Sequence, residues 1–84
     1  MKTIKYNNKT IKLPFAGADY SDEPLEMETV TNPFSGQSIA MPKIAVAVYD
    51  VIIGAEMLQD YKTVRQGLDW FSRNFTKQYM VLLD

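Results

Sequence analysis

The sequence predicts an α+β fold: two short β-hairpins, then an antiparallel helix pair and a short C-terminal helical segment. Two observations predict it. β-prone runs flank turn residues twice in the first half, and apolar residues recur at helical spacing through the second half. The length of 84 residues leaves room for one modest core, so the chain is read as a single domain, 1–84.

Thr3-Ile4-Lys5-Tyr6 and Lys9-Thr10-Ile11-Lys12-Leu13 are separated by Asn7-Asn8, and Asn tolerates the positive φ that a two-residue hairpin turn requires. In that register Tyr6 faces Lys9 and Ile4 faces Ile11. Ile4, Tyr6, Ile11 and Leu13 then share an inner face, and Thr3, Lys5, Thr10 and Lys12 the solvent face. From Pro14 to about Glu26, prolines, a glycine and acids with no apolar period read as a loop, which Phe15, Tyr20 and Leu25 are expected to pin to the core.

A second hairpin is expected between Met27 and Met41 with Ser35-Gly36 as its turn. That register pairs Phe34 with Gln37, Asn32 with Ile39 and Val30 with Met41, and gathers Val30, Phe34, Ile39 and Met41 on one face. Pro33 cannot donate to a ladder, which places this strand at an edge or bulge.

Pro42 suits a helix start, and Ile44, Val48, Val51, Ile52 and Ala55 lie at helical spacing across Lys43 to Leu58. The β-branched content makes a buried strand the competing reading; length and the Pro42 start favour helix. Gly54 marks either close packing or an early end. Asp60 is a natural N-cap for a helix over 61–74, along which Val64, Leu68, Phe71 and Phe75 repeat. Thr76 is expected to cap a last segment, Lys77 to Leu83, read as a helical turn rather than a strand because its run of apolar residues is unlike a free tail.

The chain has no Cys and no His. That removes disulfides, thiolate zinc sites and the common nucleophile–base triads, so no catalytic site is expected, and no enzyme. No metal site is expected either, since Asp19, Asp22, Glu23, Glu26 and Glu28 match no EF-hand spacing, and Asn32 to Gln37 lacks the pattern of a phosphate loop. Nothing implies a cofactor or a small-molecule substrate. The N-terminal run has a positive start but no apolar stretch after it, and no membrane span is visible, so the chain is read as soluble and cytoplasmic.

Net charge is −1, but the charges are sorted along the chain: Lys2, Lys5, Lys9 and Lys12 come first, then the acids of 19–28. Two partner classes follow. Trp70, at the margin of the second helix's apolar stripe, either closes the core or, with Tyr61, Tyr49, Met57 and Met80, forms an apolar patch for self-association or a protein partner. The alternative is a single-stranded nucleic-acid binder through the four lysines; against it, Tyr6 lies on the apolar face, and edge lysines are an ordinary guard against aggregation.

Thr-Asn-Pro-Phe-Ser-Gly-Gln-Ser (31–38), Ala-Val-Tyr-Asp (47–50), Gly-Leu-Asp-Trp-Phe (67–71) and Tyr-Met-Val-Leu-Leu-Asp (79–84) resemble small proteins of tailed bacteriophages and marine viral metagenomes that have no assigned activity. The resemblance spans 31–84. It implies a phage accessory protein working in the host cytoplasm by contact with another macromolecule, or a minor virion component.

Overall fold

The computed structural model describes residues 3–15 and 23–83. Its elements run β1 (Thr3–Tyr6), β2 (Lys9–Lys12), β3 (Met27–Thr31), β4 (Ser38–Pro42), α1 (Lys43–Met57), α2 (Tyr61–Asn74) and α3 (Thr76–Leu82). This is the expected α+β order. The two hairpins do not join: each is a separate two-stranded antiparallel sheet.

The β1–β2 register is the expected one, with Ile4 opposite Ile11 and Tyr6 opposite Lys9. Asn7 and Asn8 both take positive φ, 50° and 65°, as the turn between right-twisted strands requires. The inner face docks on α2. Ile11 and Leu13 are buried, Tyr6 packs on Phe75 with ring centroids 5.5 Å apart, and the Trp70 indole N–H donates to the Lys12 carbonyl at 2.6 Å. Beyond β2, Phe15 is half-buried against the core and Gln66 donates to the Pro14 carbonyl at 2.7 Å. Of the other expected loop anchors, Leu25 is exposed and Tyr20 lies outside the described residues.

The β3–β4 hairpin differs from expectation. Its pairs are Thr31 with Ser38, Val30 with Ile39 and Glu28 with Met41, two residues out of the expected register. A shift of two keeps the faces, so Val30, Ile39 and Met41 still point inward. It ejects Phe34 from the strand. The cause is Asn32. Its backbone N–H donates to the Gln37 carbonyl at 2.8 Å, its carbonyl accepts from the Gly36 N–H at 2.8 Å, and its side-chain oxygen accepts from the Phe34 N–H at 2.9 Å. These bonds close a wider loop than Ser35-Gly36 alone, with Gly36 at φ 77°. Pro33 therefore sits in the loop and not in a strand, and its missing N–H interrupts no ladder.

Helix α1 has no side-chain N-cap. Backbone carbonyls replace it: Glu26 accepts from the Lys43 N–H and Pro24 from the Ile44 N–H, and a Lys43–Glu26 ion pair at 2.9 Å reinforces the junction. The helix ends in a Schellman arrangement, with Asp60 N–H to Ala55 O, Gln59 N–H to Glu56 O, and Gln59 left-handed at φ 58°. Asp60 then caps α2 through Thr63, so a three-residue corner folds α2 back along α1.

Gly54 departs from expectation, and Gly67 takes the close-packing role expected of Gly54. A Cβ at Gly54 would meet nothing within 4 Å, so this glycine marks neither close packing nor a helix end. At Gly67 a Cβ would overlap the Ile52 side chain and lie 3.3 Å from Phe15; this is where α2 and α1 approach.

Ala45, Val48, Ile52 and Ala55 of α1 meet Val64, Trp70, Phe71 and Phe75 of α2 and its end in one core. Thr76 does not cap α3. It is the first helical residue and its hydroxyl donates back to the Ser72 carbonyl, while Phe75 precedes the helix with no capping side chain. Helix α3 lies against β4 and the β3–β4 loop, where Gln78 donates to the Ala40 carbonyl and Asn32 donates to the Val81 carbonyl at 2.9 Å. Among the described residues no helix is long and apolar enough to cross a membrane.

Candidate functional site

Helix α1 carries more apolar surface than one core can bury. Ile44, Ala45, Val48, Ile52 and Ala55 face inward, and a second stripe, Tyr49, Ile53 and Met57, recurs every four residues on another side. The β3–β4 loop and the end of α3 stand beside that stripe. Together they form a groove of ≈ 730 Å³ walled by Tyr49, Ile53 and Met57, by Pro33 and Phe34, and by Leu82 and Leu83 at the end of α3.

Phe34 stands on the rim with 98% of its surface exposed. Leaving a phenylalanine in water forgoes about 1.5–3 kcal/mol that burial would supply, so its position needs a restraint. Asn32 provides it, holding the Phe34 backbone through its side-chain oxygen and α3 through its amide. The Ser35 hydroxyl accepts from the Gln37 N–H at 3.2 Å on the far side of the loop.

The charges of the groove have one sign. Asp50 and Glu56 line it, and among the described residues no Lys or Arg does. The Asp50 carboxyl is held above the usual aspartate range, first by desolvation and then by the nearby charge of Glu28. No basic residue occupies the last turn of α1, where Met57 and Leu58 stand 81% and 82% exposed.

The expected apolar patch is thus divided. Tyr49 and Met57 come together in this groove. Tyr61 lines a different hollow between α2 and α3, with Val64, Leu68 and Tyr79 and the mixed charges Arg65 and Asp69. Met80 is exposed but lines neither hollow. Trp70 is 8% exposed, its indole N–H bonded to Lys12, and takes the core reading of its two.

Phe34, Ile53, Asp50 and Glu56 were not among the sequence candidates. The surplus stripe at 49, 53 and 57 was the available signal; the shifted register of the second hairpin hid Phe34.

Of the four lysines, Lys5, Lys9 and Lys12 are exposed, and Lys2 lies outside the described residues. The ion pairs among the described residues, Lys43–Glu26 and Arg73–Asp69, involve none of these three. Tyr6, the aromatic beside them, stacks on Phe75. Among the described residues no group of three or more acidic side chains is placed to hold a metal; Asp19 and Asp22 lie outside them.

No family model, curated protein or solved structure matches this chain.

Proposed function

We propose that this protein is a small interaction module that docks a protein partner in the groove between α1, the β3–β4 loop and the end of α3. The observation that carries this reading is Phe34, a large apolar side chain fixed in water at the rim of an apolar hollow. Such anchors, next to a pocket and close to other exposed apolar residues, contribute most of the energy at interfaces. The resemblance of 31–84 to small phage proteins supplies a setting, a phage-type accessory factor in the host cytoplasm.

The test pairs stability with capture. Phe34→Ala with Met57→Ser should leave the melting curve nearly unchanged and abolish recovery of a stoichiometric partner from host lysate, while replacing Lys5, Lys9 and Lys12 by Ala should leave recovery intact. Capture retained by the groove variant and lost by the lysine variant would sink this reading.

A second reading, single-stranded nucleic-acid binding, is favoured by the exposed Lys5, Lys9 and Lys12 and weakened by the packing of the half-buried Tyr6 on Phe75. It requires an affinity for oligonucleotides that falls steeply with added salt. Binding that is absent or indifferent to salt removes it.

A further inference from the structure

We propose that the partner's docking segment is a basic amphipathic helix: two turns of apolar side chains enter the groove, and Lys or Arg on the flank of that helix meets Asp50 and Glu56. This deepens the docking reading and rests on it.

Length and charge are the arguments. From Tyr49 to Met57 the apolar stripe rises about 12 Å along α1, and the anchors of a partner helix at i, i+4 and i+7 span about 10.5 Å, so one matches the other turn for turn. Among the described residues the charged groups that line the groove, Asp50 and Glu56, are both acidic, and Glu28 stands near Asp50. An acidic segment would be repelled along the whole of this wall. A neutral one would leave two carboxylates beside an apolar contact without a partner for either.

The basic face of the β1–β2 hairpin does not supply this segment. The solvent face of the β1–β2 hairpin carries Thr3, Lys5, Thr10 and Lys12, which offer charge but no apolar anchor to fill the hollow. The occupant proposed is another protein, and a second copy is one of the outcomes the test below distinguishes.

Two synthetic 14-residue peptides test the inference by fluorescence anisotropy against the whole chain. Both carry Leu at i, i+4 and i+7 on an alanine background; one has Lys at the flanking positions and the other Glu. The lysine peptide should bind one to one, and the glutamate peptide at least about tenfold more weakly, the factor that corresponds to 1.4 kcal/mol. Asp50→Asn with Glu56→Gln should erase that difference.

Equal binding of both peptides, lost in both cases with Phe34→Ala and Met57→Ser, would overturn the charge selection and leave the docking reading standing. Lysine-peptide binding that is undetectable, or unaffected by those groove substitutions, would overturn both. A dimer of the chain alone in sedimentation equilibrium, dissociated by Met57→Ser, would make a second copy the occupant and overturn the proposal as well.

Discussion

In the β1–β2 hairpin the aromatic residue beside the turn, Tyr6, folds inward onto Phe75, whereas in the β3–β4 hairpin the aromatic residue within the turn, Phe34, stands 98% exposed. Both are two-stranded, antiparallel and packed on helices by one face. The turns differ. Asn7 and Asn8 join β1 to β2 with nothing to spare, so every large side chain near them belongs to a strand and its face is set by alternation. The connection between Thr31 and Ser38 contains residues outside the ladder, and there hydrogen bonds from Asn32, not alternation, decide where a side chain points.

That contrast can be broken by substitution. On the inward side, Trp70→Ala should cost about 3–5 kcal/mol in a denaturant melt, since it opens a cavity under the first hairpin and leaves the Lys12 carbonyl without its donor. A cost under about 1 kcal/mol would mean that the hairpin is not seated on α2 as described. Gly67→Ala should cost about 1–3 kcal/mol although Ala is the better helix former, because its Cβ meets Ile52. The same change at Gly54, open to space, should stabilise by about 0.5–1 kcal/mol, and equal effects at the two glycines would contradict the packing of α1 on α2.

On the outward side the expected effects are smaller. Asn32→Ala should cost about 1–2 kcal/mol and raise local hydrogen exchange at Phe34 and Gly36, because it removes one restraint on the loop and one bond to α3. Phe34→Ala should change stability by less than about 0.5 kcal/mol. A larger loss would show Phe34 packed in solution and remove the groove's anchor.

Two aspartates give a pH test of opposite sign. The Asp60 carboxylate accepts from the Thr63 hydroxyl and backbone N–H, which holds it below its ordinary value; its contribution is present above about pH 4 and is lost as pH falls through the lowered value. Asp50 is shifted up, so ionising it weakens the fold as pH rises through the raised value, and the penalty persists above that. Asp60→Ala should therefore flatten the acid limb of the stability profile. Asp50→Asn should leave stability at neutral pH equal or higher while weakening a cationic partner, the pattern of a residue kept for binding.

The element order and the first register were legible because each rests on local signals: Asn-Asn for the turn, apolar periodicity for the helices, and Asp60 before Tyr61 for the α2 cap. The second register was not, since Ser35-Gly36 is also a good two-residue turn and only the bonds made by Asn32 favour the wider loop. Gly54 and Gly67 look alike in a sequence, and which one faces another helix depends on a crossing that composition does not encode. The groove was half legible: Tyr49 and Met57 were visible as surplus apolar residues on α1, while Phe34, Leu82 and Leu83 join them only through the fold.

Docking on the exposed face of α1 and the loop that holds Phe34 is checked by a backbone amide chemical-shift map of the chain titrated with the lysine peptide. Shifts confined to the β3–β4 loop, to the α1 turn of Tyr49, Ile53 and Met57 and to Leu82–Leu83 are the predicted result. Shifts centred instead on Lys5, Lys9 and Lys12, or on the Tyr61 hollow, would contradict it.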